Sequence, residues 1–203
     1  ATTITAQVST SFDDAEEATS NGNISRTSSD LELMNDGGTQ VVGLRFASVG
    51  IPVGATIADA RLEFEIDEEN SASADPVTIQ VFGEDADDPV SYSTTKYDIS
   101  NRTKTSASST WAITSNPAVN NPLISPNLNN VVQEIVNRSD WAKDDPMAFV
   151  IEHVSGTGVR WVESENGESS AAAKLHVTYI AGSSSTGAQT VGLRFTGINI
   201  PQG

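Results

Sequence analysis

The stretch ATIADARLEFEID, residues 55–67, decides the fold. Ala60, Leu62, Phe64 and Ile66 fall on one side of an extended chain, and Arg61, Glu63, Glu65 and Asp67 on the other. A period of two marks a strand with one face in a core and the other in water. The pattern recurs in both directions. Upstream, Leu31 and Leu33 flank Glu32, the turn residues NDGG follow at 35–38, and VGLRF at 42–46 resumes the alternation. Downstream, Val77, Ile79 and Val81 form another strand, ended by the acidic EDADDP loop. MAFVIEHV (147–154), VRWVES (159–164) and KLHVTYI (174–180) read as closing strands. Residues 91–125 are rich in Ser, Thr and Asn and read as irregular loops with one strand around Trp111. A single helix is expected over 126–138, with Ser125 as cap and Pro126 in the first position. Its apolar stripe is Leu128, Val131, Val132, Ile135 and Val136. Many short strands, Gly/Pro turns and one amphipathic helix predict an all-β antiparallel sandwich, a jelly roll with one short α-helix, over residues 1–180.

Beyond Ile180 lies AGSSST, a Ser-rich linker at 181–186, and then the chain repeats itself. GTQVVGLRFASVGIPVG at 38–54 matches GAQTVGLRFTGINIPQG at 187–203 without gaps, with ten of 17 positions identical. The second copy alternates like an interior strand, Val191, Leu193 and Phe195 on one face and Arg194 on the other. A lone strand of that kind cannot bury itself. Two readings follow: residues 187–203 open a second module, or they form a donor strand that pairs with a neighbouring subunit and links copies into a fibre.

Composition narrows the chemistry. The 203 residues carry 11 Lys and Arg against 27 Asp and Glu, a formal net charge of −16. Such a surface repels nucleic acid and anionic lipid unless cations intervene. No apolar run approaches the ~20 residues of a membrane span, so membrane insertion is not expected. There is no cysteine, which removes disulfides, thiolate metal sites and thiol catalysis, and there are only two histidines. The opening ATTITAQVSTSFDD has neither a basic region nor an apolar stretch of the signal-peptide kind. No H-E-x-x-H, G-x-S-x-G or phosphate loop occurs, and no carboxylate pair can be singled out for glycoside hydrolysis, so no enzyme activity is expected.

Hard oxygen donors remain, and they point any metal toward calcium. Asp13, Asp14, Glu16 and Glu17 cluster near the start, with Asp30 and Glu32 on the following strand. Clustered carboxylates repel unless a cation intervenes; the competing reading is a solvated acidic edge. Glu84, Asp85, Asp87 and Asp88 form a second acidic loop. It lacks the glycine and glutamate of an EF-hand, which leaves a different kind of metal loop or a plain exposed turn. For sugar stacking, Trp111 and Tyr97 in the polar region are the better platforms and Tyr92 is a further candidate, against the competing and commoner reading of each as a buried loop anchor. Trp141 and Trp161 read as core. Arg45 and Arg160 interrupt apolar strands and are expected to pair with internal Asp or Glu. His153 and His176 are expected to be satisfied within the fold.

The run VGLRF…IPVGATIADARLEFEI, then TIQV, NVVQEIVNRSDW, AFVIEH, VRWVES and KLHVTY, resembles the DNRLRE-type modules of bacterial extracellular proteins. The resemblance covers roughly residues 8–180. It implies a jelly-roll sandwich, an extracellular or cell-surface location, and membership in large repetitive surface proteins. Some such modules are grouped with carbohydrate-binding modules. The internal repeat makes a non-catalytic structural or adhesive module joined to other copies of itself the leading expectation, while the resemblance and the loop aromatics favour the alternative. The alternative is a calcium-stabilised carbohydrate-binding module whose partner is a glycan.

Overall fold

The computed structural model describes residues 1–35, 37–69 and 75–182. In chain order the strands are β1 (Thr2–Gln7), β2 (Asp14–Ala18), β3 (Ile24–Ser25), β4 (Asp30–Leu33), β5 (Gln40–Phe46), β6 (Thr56–Glu68), β7 (Val77–Glu84) and β8 (Lys104–Ile113). After them come β9 (Pro122–Ile124), the helix α1 (Asn129–Val136), β10 (Met147–Gly156), β11 (Arg160–Glu163) and β12 (Lys174–Ile180). The segment 187–203, with Val191, Leu193, Arg194 and Phe195, lies outside the described residues.

The alternation at 55–67 becomes the longest strand, β6. Ala60, Leu62, Phe64 and Ile66 are at most 1% exposed, while the charged residues between them are half-buried. Around it forms one sheet in the order β1-β12-β6-β11-β4, with β9 also pairing β6. The facing sheet runs β3-β2-β5-β10-β7-β8. All strand pairs are antiparallel. From β4 to β7 the chain changes sheet at every step, in the jelly-roll manner. The expected sandwich is therefore what these residues form.

The core between the sheets is built from alternating inward positions, Leu31, Leu33, Val42, Leu44, Phe46, Val81, Phe149 and Val177, and is joined by Val162, which the sequence reading puts on the face opposite the core. Each such side chain removed from water stabilises by about 1.5–3 kcal/mol. A second, smaller cluster lies on the outer face of the β5 sheet, where Tyr92 and Ile99 cover Ala15, Val41 and Val150. Residues 85–103 thus form a third layer over one half of that sheet. β5 sits between β2 and β10 and is buried on both faces. Gly43 is the reason Tyr92 fits: a Cβ there would lie 2.5 Å from the tyrosine Cζ.

Two local expectations need correction. The helix starts at Asn129, and Ser125 does not cap it. Pro122–Ile124 pair with β6, and the backbone of Ser125 and Leu128 donates onward to Leu62 and Ala60. The Ser125 hydroxyl accepts from the Leu62 N–H instead. Extended pairing to β6 thus outcompetes the early helical turns. The polar region is also more ordered than its composition suggested, since β8 runs for ten residues through Ser- and Thr-rich sequence. Its inward positions Thr105, Trp111 and Ile113 are buried.

Candidate functional site

In an extended strand, neighbouring side chains leave on opposite faces, and β2 applies that rule to the acidic run at 13–17. Asp13 and Glu17 serve the outer layer. Asp13 accepts from the Arg45 guanidinium at 2.9 and 3.1 Å and from the Ser91 hydroxyl at 2.7 Å. Glu17 Oε2 accepts the main-chain N–H groups of Ile99 and Ser100, both at 2.9 Å. Asp14 and Glu16 serve the other sheet. Asp14 Oδ2 accepts the N–H of Glu165 at 2.7 Å, and Glu16 Oε1 accepts the N–H of Glu32 at 2.6 Å. All four carboxylates are at most 5% exposed. They staple three layers together through donors that are mostly main chain.

The expected six-residue ligand set is therefore not brought together as one group. Only Glu16 and Glu32 touch. They meet across the two sheets through the Glu32 N–H, with the Glu32 carboxyl and Asp30 close enough to oppose the Glu16 charge. Burial and the Glu32 charge push the Glu16 carboxyl well above the usual range. The pair opens on a cleft of ≈ 240 Å³ lined also by Asn23, Ser25, Ser28 and Gln40. Gln40 donates to Glu32 Oε2 at 3.3 Å. A second carboxyl pair, Glu163 with Asp67, lies on the neighbouring strands β11 and β6; burial and Asp67 raise Glu163. Asp14 is raised to about 6, chiefly by burial. Among the described residues, no Lys or Arg forms an ion pair with Asp14, Glu16, Asp30, Glu32, Asp67 or Glu163. Among the same residues, no three His, Asp or Glu side chains converge as a metal site would require.

The second acidic loop is neutralised by arginine. Glu84 pairs with Arg102 at 2.7 Å, Asp85 and Asp87 both pair with Arg138, and Asp88 is exposed. As a sugar platform, Trp111 must be withdrawn. It is 6% exposed and stacks on Phe64, with ring centroids 6.1 Å apart. Tyr92 is buried under the Arg102 guanidinium, 4.2 Å from its ring centroid. Tyr97 keeps 40% of its surface exposed, and its ring lies against Gly22. Trp141 is core, its Nε1–H donating to the Ile51 carbonyl. Trp161, expected in the core, is only half-buried, because Arg160 and Val162 take the inward positions. Arg45 pairs with Asp13 as expected. Arg160 departs from expectation: 1% exposed, it donates to the carbonyls of Ser115, Asp75, Val159 and Ile113 and to no carboxylate. His176 lies between Thr5 and Glu63, and His153 Nε2 meets the Gly156 carbonyl.

Sequence reading missed the Glu163–Asp67 pair and the polar lining of the cleft, which converge only through sheet register. Gly43 was the one available signal for a close approach, since a glycine inside an apolar strand marks a place where another group comes near. The class defined by the fold and these residues is an all-β sandwich with an acidic strand built into its interior. No protein-family model matches the chain, and no curated protein matches it.

Proposed function

We propose that this chain is a non-catalytic structural or adhesive module of a repetitive extracellular protein, on a surface or in a filament, joined copy to copy through residues 187–203. One observation supports the reading most directly. The identities between 38–54 and 187–203 include the interior requirements of β5. Val42, Leu44, Phe46 and Ile51 are fully buried, Gly43 admits Tyr92, Arg45 holds Asp13, and Gly54 takes a positive φ of 73°. Of the seven positions that differ in the second copy, Thr39, Ala47, Ser48 and Val53 are exposed and Gly50 is half-buried, while the buried Val41 and Val49 are replaced by Thr and Ile. The repeat keeps most of what a filled slot between two strands needs and varies mainly what water sees. In the described sandwich that slot already holds β5, so the second copy suits a further sandwich, in tandem or in a neighbouring subunit. Deleting residues 183–203 tests this. The truncated chain should keep its melting temperature and lose assembly by light scattering and electron microscopy. Assembly that persists after the deletion refutes the linking role.

The cleft favours a second reading, a calcium-stabilised carbohydrate-binding module. Carboxylates, amides and hydroxyls are the groups that bond sugar hydroxyls, and a divalent cation at Glu16 and Glu32, with Asp30 near, would offset their repulsion. Calcium would then raise the melting temperature and chelator would lower it, because a ligand of the folded form stabilises by mass action. A melt indifferent to both removes this reading.

A further inference from the structure

We propose that the outer edge of β8, Ser108–Ala112, is a strand-pairing surface on which a second copy of this chain adds its own β8 in antiparallel register. The inference rests on the reading of this protein as a module that works in many copies. An edge strand carries a row of free N–H and C=O groups, and folded proteins guard such edges with charge, proline, bulges or a covering element. Of the three other edges, β4 and β3 are guarded and β1 is a shorter strand of six residues. At β4 the Glu16 carboxylate accepts the Glu32 N–H, Asp30 and Glu32 add charge, and β3 is only two residues long. The first part of β8 is guarded too. The Glu134 carboxylate on α1 accepts the N–H groups of Ser106 and Ala107, and the register to β7 is broken between Phe82 and Glu84.

The guard stops there. Among the described residues, the backbone groups of Ser108–Ala112 bond to nothing beyond β7. No Asp, Glu, Lys, Arg or Pro stands between Thr105 and Ile113. Ser108, Thr110 and Ala112 are exposed, and on β7 beside them lie Thr78 and Gln80, the latter donating to the Ser108 hydroxyl at 2.8 Å. Charge selects the partner. Copies with a net charge of −16 repel one another, and they approach at least cost across an uncharged strip. A neutral strip also offers no charge for a strongly charged partner to read. The residues suit self-pairing. With Thr110 opposite Thr110, Ser108 meets Ala112, so on the exposed face only small side chains and hydroxyls face each other, while Ser109 meets Trp111 on the inner face. The result is an isologous two-fold contact joining two six-stranded sheets into one.

The absence of cysteine makes the test direct. Ser108→Cys, Thr110→Cys and Ala112→Cys are each made in the full chain, with Thr5→Cys on the shorter uncharged edge β1 as control. Under mild oxidation, at least one β8 position should give covalent dimer at about ten times or more the control yield, because pairing raises the local thiol concentration. Thr110→Lys should keep the wild-type melting temperature and lose self-association in sedimentation equilibrium. Equal cross-linking from β8 and the control, or association of Thr110→Lys at wild-type strength, overturns the proposal. Deleting residues 183–203 in the Thr110→Cys background separates this contact from the linking role of 187–203. The cross-link should survive the deletion, and its loss there also overturns the β8 contact.

Discussion

The two acidic runs DDAEE at 13–17 and EDADD at 84–88 look alike in sequence and are handled in opposite ways by the fold. The first is buried, and three of its four carboxylates lean on main-chain N–H groups. The second is neutralised by arginine: Glu84 at its start is largely buried against Arg102, and Asp85 and Asp87 stay nearer the surface with Arg138. Composition cannot separate them. What separates them is position: 13–17 is a strand between two others, so its side chains must enter layers on both faces. The 84–88 run leaves the end of β7 and turns in solvent. Acidic residues in a strand therefore act here as fasteners, and acidic residues in a loop as surface charge.

The largest effect that would sharpen this contrast is expected at the one ion pair of the first run. The Asp13 and Arg45 side chains are 3% and 14% exposed. Arg45→Met leaves the carboxylate buried without its cation and should cost about 3–5 kcal/mol in urea unfolding. Adding Asp13→Asn should recover part of the loss. A cost below about 1 kcal/mol would place Asp13 with the surface charges. Next in size is Glu17→Ala. It strands the N–H groups of Ile99 and Ser100, the first of them on a fully buried residue, and should cost about 2–4 kcal/mol. Hydrogen exchange at those two amides should quicken before the rest of the sheet does.

An effect of about 3 kcal/mol or less concerns pH. Asp14 rises from an ordinary 3.8 to about 6 because burial opposes its charge, against the Glu165 N–H that favours it. The folded state then holds the proton more tightly than the unfolded state. The stability this contributes is whole below 3.8 and is lost as pH rises through about 6. Glu16 acts in the same direction, starting from 4.5. Stability should therefore fall from mildly acidic to neutral pH. Asp14→Asn, which still accepts the Glu165 N–H, should flatten that slope and raise stability at neutral pH. An unchanged slope would mean the carboxyl is ionised in the fold at no cost.

The sandwich was legible because alternation reports burial directly: Leu62, Phe64, Val81 and Val177 all sit where their period puts them. The helix was legible in its stripe but not in its start, because pairing of Pro122–Ile124 with β6 is a long-range event. The candidate site was legible only as a list of acids. Which of them meet is fixed by register between strands far apart in sequence, as in Glu163 with Asp67 and Glu16 with Glu32. Trp111 misled for a related reason. Its small neighbours Ser109, Thr110 and Ala112 belong to an edge strand, whose inward face still needs an aromatic to meet Phe64.

The smallest effect is expected from the second acidic run, and its sign is the sharpest part of the contrast. Arg138 and its partners are partly exposed, so water and salt screen the pair and Arg138→Ala should scarcely move the melting temperature. Asp87 nonetheless responds to pH in the sense opposite to Asp14. The Arg138 guanidinium, by hydrogen bonding, holds the Asp87 carboxyl below its ordinary 3.8. A lowered carboxyl contributes stability above its unfolded value and loses it as pH falls through the lower, folded one. Acid below 3.8 should therefore loosen the 84–88 clamp while leaving the protonated Asp14 staple in place. Carboxyl-selective NMR titration can follow both in one sample, with Asp87 titrating below the unfolded value and Asp14 well above it. Salt at about 1 M, where the screening length is near 3 Å, should bring Asp87 back toward its ordinary value and leave Asp14 in place. If both residues shifted alike with salt, the distinction between a buried fastener and a surface clamp would fail.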